Sequence, residues 1–80
     1  MPKEIKMKTF NVTCQERPWY GSPFYSLTVE ARNAESAARK AKKEYPNAVW
    51  YWVDGVVTLV NQKRLDYFQK LNPGEVFYHF

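Results

Sequence analysis

Cys14 and His79 are the side chains in this 80-residue chain best suited to act as nucleophile and base, and they stand near its two ends. A thiolate becomes reactive only beside a base or a positive charge, so one cysteine and one histidine allow a single such pairing. The lone cysteine excludes an internal disulfide and a cysteine-based zinc site, and on a strand it reads as a small buried hydrophobe. His79 lies among rings in Val76-Phe77-Tyr78-His79-Phe80, where a structural role is expected. The eight acids, Glu4, Glu16, Glu30, Glu35, Glu44, Asp54, Asp66 and Glu75, are scattered. Asp54 is already accounted for by turn chemistry. Only three glycines are present, and no phosphate loop, dinucleotide pattern or metal-ligand spacing occurs. The expectation is a chain with no catalytic residues, cofactor or metal.

Residues suited to recognition are more plentiful. Three Trp, six Tyr and five Phe give a small chain large rings to bury or to present. Trp19 and Tyr20 sit in Glu16-Arg17-Pro18-Trp19-Tyr20-Gly21-Ser22-Pro23, a loop by its prolines and glycine. They either fold back over a sheet or project as rigid contact residues. Twelve Lys and Arg against eight Asp and Glu give a net charge of +4, a bias toward acidic partners. Arg39, Lys40 and Lys43 are the basic residues expected on an outer helix face. Two kinds of partner follow. Lysines and rings together could hold nucleic acid, although no RNP-type aromatic pair, KH-type loop or zinc finger is present. Alternatively, the domain binds a protein or ribonucleoprotein complex through Trp19, Tyr20, Arg39, Lys40 and Lys43. A homodimer is compatible with either.

The elements that would position these residues centre on Val49–Val60, two β-prone runs around Asp54-Gly55. Asp-Gly fits a type I′ hairpin turn. Counting outward pairs Val53 with Val56, Trp52 with Val57, Tyr51 with Thr58, Trp50 with Leu59 and Val49 with Val60. Trp50, Trp52, Val57 and Leu59 then share one face and Val49, Tyr51, Val53, Val56, Thr58 and Val60 the other. Both are apolar, so both are expected to be covered. Upstream, Phe10, Val12 and Cys14 alternate with polar residues as a first strand, which Lys3, Lys6 and Lys8 would shield from edge pairing. Phe24–Glu30 alternates as a second, antiparallel strand. Asn33 caps a helix over Ala34–Tyr45 that stops before Pro46. Ala34, Ala37, Ala38, Ala41 and Tyr45 form its inner stripe, small enough to approach a sheet closely, and the tryptophan face supplies complementary bulk. Leu65, Phe68 and Leu71 are spaced for a short second helix, Asn72-Pro73-Gly74 is a turn, and Val76–Phe80 reads as a last strand or an apolar tail.

These readings define one α+β domain over 1–80: an antiparallel sheet of four or five strands packed on one face by one main helix, in the order β-β-α-β-β. No apolar segment suggests a leader or a membrane span, and the cytoplasm is the expected location. The segment Phe24-Tyr25-Ser26-Leu27-Thr28-Val29-Glu30-Ala31-Arg32-Asn33-Ala34-Glu35-Ser36-Ala37-Ala38-Arg39-Lys40-Ala41 resembles the strand, turn and alanine-rich helix of very small phage-encoded proteins, type I anti-CRISPR inhibitors among them. That resemblance implies a rigid inhibitor that docks on a CRISPR effector complex and occludes its working surface; it transfers no signature residue.

Overall fold

The computed structural model of the chain describes residues 6–19 and 21–77. Within them the order is β1 (Lys8–Gln15), β2 (Phe24–Ala31), α1 (Ala34–Glu44), β3 (Trp50–Val53), β4 (Val56–Val60) and α2 (Gln62–Leu71). The strands form one four-stranded antiparallel sheet in the order β2-β1-β3-β4. The fold is thus α+β, with one main helix against the sheet. Two hairpins join through their first strands, which leaves β2 and β4 at the edges. β1 is internal only where β3 pairs with it, over Val12–Gln15; among the described residues its start at Lys8 has β2 on one side and no strand on the other, and Lys3 lies outside them.

Asp54 and Gly55 adopt φ of 47° and 84°, the two positive values of a type I′ turn. The Asp54 N–H donates to the Asn11 carbonyl at 2.9 Å, and the Asn11 N–H donates to the Asp54 carboxylate at 3.2 Å. These bonds stitch the hairpin to β1. Val53 faces Val56 and Trp52 faces Val57 as expected, but a bulge then makes Tyr51 face Leu59 and Trp50 face Val60. This corrects the pairs Tyr51–Thr58, Trp50–Leu59 and Val49–Val60. Thr58 is the additional residue, and its hydroxyl donates to the Val56 carbonyl at 3.0 Å, a local bond that competes with the ladder. A shift of one residue exchanges faces, so Leu59 joins Tyr51.

The position of α1 corrects a larger expectation. It lies not on the tryptophans but on the opposite face, where Ala37, Ala38 and Ala41 are buried with Val12, Cys14, Val29, Ala31, Ala48, Tyr51 and Val53, flanked by Leu59. The cause is the pairing of β1 with β3. Cys14 stands opposite Tyr51 and Val12 opposite Val53, extending the apolar stripe of the first hairpin across the sheet. On the other face the same register sets Thr13 beside Trp52 and Gln15 beside Trp50, so no continuous apolar stripe exists there for a helix to bury. Asn33 caps α1 as expected, accepting the Ser36 N–H at 2.9 Å, and Tyr45 closes it, donating its N–H to the Ala41 carbonyl at 2.8 Å.

The tryptophan side has its own core. Val49, Trp50 and Phe68 are buried together, with Trp52, Val57, Val60, Leu65 and Phe77 around them. Val49 therefore belongs with the tryptophans, not with Tyr51, and the second helix exists as read. Its stripe is Leu65 and Phe68; Leu71, expected with them, is 60% exposed. Both faces of the β3–β4 hairpin are thus covered from within the chain. Val76 and Phe77 are not in a strand, and residues 78–80 lie outside the described part, so the expected terminal strand is tested only that far.

Two substitutions test the packing of the two layers that cover the sheet. Trp50→Ala, emptying the core under α2, is expected to lower unfolding free energy by about 3–5 kcal/mol. Ala41→Leu is expected to cost about 1–3 kcal/mol by overpacking α1 against the sheet. Denaturant titration reads both, and an Ala41→Leu variant as stable as the parent would contradict the close approach of α1.

Candidate functional site

Among the described residues, part of one sheet face is left uncovered. α1 spans the whole of one face, but on the other face α2 covers only the β3–β4 half. Over β1 and β2 that face presents Thr9, Asn11, Thr13 and Gln15 opposite Glu30, Thr28, Ser26 and Phe24. A trough of about 540 Å³ opens here, lined by Thr13, Gln15, Trp19, Gly21, Ser22, Phe24, Trp52 and Gly55. Phe24, the one apolar residue on the polar side of β2, is 65% exposed.

Gln15 sets the shape of the trough. Its amide nitrogen donates to the carbonyls of Arg17 at 2.8 Å and Trp19 at 3.4 Å, while its amide oxygen accepts the Trp52 indole N–H at 3.2 Å. One side chain therefore ties the loop to β3. The loop is closed further by the Glu16 N–H on the Pro23 carbonyl at 3.0 Å and the Arg17 N–H on the Ser22 hydroxyl at 2.7 Å. Trp19, 37% exposed, turns its ring toward α2 and meets Phe68 edge-on at 5.4 Å and Phe77 at 6.3 Å. Of the two sequence alternatives for this residue, folding back is the one observed. Trp19 walls off the covered half of the face from the open half. Arg17 places its guanidinium 5.7 Å from the Trp19 ring centre.

The basic residues lie elsewhere. Arg39 is exposed and 3.9 Å from Glu35 one turn away, a pairing of small energetic consequence. Lys40 extends its ammonium to the Glu30 carbonyl at 2.6 Å, and Lys43 lines a groove with it beside Leu27–Glu30 and Glu44. All three are on α1, across the sheet from Trp19. Tyr20 lies outside the described residues. The structure therefore does not bring the expected contact residues into one surface, and it adds Phe24 and Trp52, which sequence reasoning missed. Phe24 had a signal, being apolar where its strand neighbours on that face are Ser26 and Thr28. Trp52 had none, because its neighbour on β1 was not legible.

Cys14 is fully buried beneath α1, and burial pushes its thiol up to about 11. It is therefore a poor nucleophile at neutral pH. His79 lies outside the described residues. Tyr51, opposite Cys14 on the neighbouring strand, is also buried, and burial raises its hydroxyl, with Cys14 adding to the effect and hydrogen bonding at Ala48 and Asn61 opposing it. Among the described residues no group of His, Cys, Asp and Glu is placed to hold a metal, and no helix is long and apolar enough to cross a membrane. No family model, curated protein or solved structure matches the chain. What the site can do is hold an apolar or aromatic group against Phe24, Trp52 and Trp19 while Thr13 meets its polar rim.

Two outcomes follow from this geometry. Because folding raises the Cys14 pKa, the unfolded chain ionises first; stability contributed by the buried thiol is intact below about pH 9 and is lost as pH rises toward 11. Denaturant titrations across that range are expected to show the decline, and a Cys14→Ala variant a shallower one. Replacing Gln15 by Leu strands the Trp52 N–H and releases the loop. An expected cost of about 1–3 kcal/mol, with a red shift of tryptophan emission, would be read by melting and fluorescence.

Proposed function

We propose that this chain is a non-catalytic binding domain that meets a protein surface, alone or within a ribonucleoprotein complex, and occludes it through the trough on the open half of its sheet. The observation that carries the reading is an exposed ring, Phe24, lining one trough with Trp52 and Trp19 on a face that nothing else among the described residues covers. Rings held rigidly by a hydrogen-bonded framework lose little conformational entropy on association, which is why they serve as anchors at interfaces.

Nucleic acid is the competing partner, and charge placement argues against it. Binding a single strand combines stacked rings with lysines or arginines tracking the phosphates along the same groove. Every residue lining the trough is uncharged, and Arg39, Lys40 and Lys43 stand across the sheet. A protein side chain needs no such neutralisation. Occlusion of this kind is also what the Phe24–Ala41 resemblance implies for a phage-encoded inhibitor of a CRISPR effector, and that segment alone supports the more specific role.

Affinity capture from host lysate tests both levels. Capture is expected to survive nuclease treatment, to weaken by roughly tenfold or more with Phe24→Ala, and to persist when Arg39, Lys40 and Lys43 are all changed to Glu. Capture that vanishes with nuclease would assign the domain to nucleic acid. Loss in the triple variant with Phe24→Ala unaffected would move the interface to α1.

A further inference from the structure

The two edges of the sheet are protected very differently. β4 is short, Val56–Val60, and carries the bulge at Thr58, features that discourage another strand from pairing there. β2 spans Phe24–Ala31 with a regular register throughout, and its sequence holds no proline and no lysine. Because the Glu16 N–H bonds to the Pro23 carbonyl, alternate residues Tyr25, Leu27, Val29 and Ala31 turn their backbone groups toward β1. Phe24, Ser26, Thr28 and Glu30 therefore direct their N–H and C=O groups outward. Lys40 already donates to one of these, the Glu30 carbonyl at 2.6 Å, which keeps a second lone pair for a neighbouring strand.

From this edge we infer that two copies of the chain pair through antiparallel β2 strands, with Leu27 on the two-fold axis, to form one continuous sheet. The register follows from the residues. Leu27 opposite its own counterpart sets Tyr25 opposite Val29 on the α1 side, and on the other side Ser26 opposite Thr28 and Phe24 opposite Glu30. The apolar residues thus meet one another on one face and the hydroxyls meet on the other. The adjoining groove of Leu27–Glu30, Lys40, Lys43 and Glu44 carries two lysines and two glutamates. A groove of balanced charge selects neither an acidic nor a basic peptide and carries no net charge to repel a second copy of itself, which an isologous interface must avoid. Leu27 and its counterpart would form a non-hydrogen-bonded pair, the closest kind of antiparallel contact.

Three measurements on the full chain decide the matter. Light scattering is expected to give a mass approaching twice 9.5 kDa as concentration rises. Ser26→Pro removes an outward N–H that β1 does not use, which an edge strand tolerates, and is expected to return the protein to a monomer with its circular dichroism unchanged. Leu27→Cys, treated with oxidised glutathione, is expected to form a covalent dimer at least about tenfold faster than the exposed control Thr9→Cys, because only residue 27 faces itself. Cys14, buried in both variants, serves as a common background. A chain that remains monomeric at every concentration overturns the inference, as does a dimer that persists in Ser26→Pro with Leu27→Cys cross-linking no faster than Thr9→Cys.

Discussion

Tyr51 is the side chain around which the two layers of this domain are arranged. A buried phenol must find a hydrogen-bond partner or forfeit the desolvation energy of its hydroxyl, about 1–3 kcal/mol. Tyr51 finds one at the end of α1, donating to the Tyr45 carbonyl at 2.5 Å. Its ring packs in one core with Ala37, Ala38 and Ala41, and its hydroxyl ties β3 to the residue that caps the helix. With Tyr51 held under α1, strand alternation sends Trp50 and Trp52 to the opposite face. Their burial then requires a second cover, which Leu65 and Phe68 of α2 provide together with Phe77.

The uncovered trough is a consequence of that division. α2 is only as long as Gln62–Leu71 and follows β4 directly, so it lies over the half of the sheet to which it is tethered. The β1–β2 half is left with a threonine-, serine- and asparagine-bearing surface that needs no burial, interrupted by Phe24. Gln15 then connects the loop to Trp52 across the boundary. Stability and recognition meet at this boundary, since Trp19 and Trp52 belong at once to the packed cluster and to the wall of the trough. Asn61 plays the matching role at the far end of β4: it is nearly buried, donates to the Pro46 carbonyl at 3.0 Å and accepts the Arg64 N–H at 3.4 Å.

Local rules made much of this architecture legible. The Asp54-Gly55 turn, the Asn33 cap, the alternation of β1 and the stop before Pro46 each depend on a few adjacent residues, and each stands as the sequence implied. What was not legible depended on partners distant in the chain. An apolar hairpin with two apolar faces does not itself say which face receives the helix; the answer came from Cys14 opposite Tyr51 and Val12 opposite Val53, a pairing no local pattern encodes. The bulge at Thr58 was hidden for a similar reason, because a threonine in a strand and a threonine that bonds back to Val56 read alike. The separation of Trp19 from Arg39, Lys40 and Lys43 followed from the same misplacement of α1.

Tyr51, and not a tryptophan, lies between α1 and the sheet. Nuclear Overhauser spectroscopy of the folded chain tests this directly. Cross-peaks from the Tyr51 ring to the methyl groups of Ala37, Ala38 and Ala41, together with cross-peaks from the Trp50 indole to Phe68, are the predicted result. Cross-peaks from the Trp50 or Trp52 indole to those alanine methyls, with none from Tyr51, would contradict it.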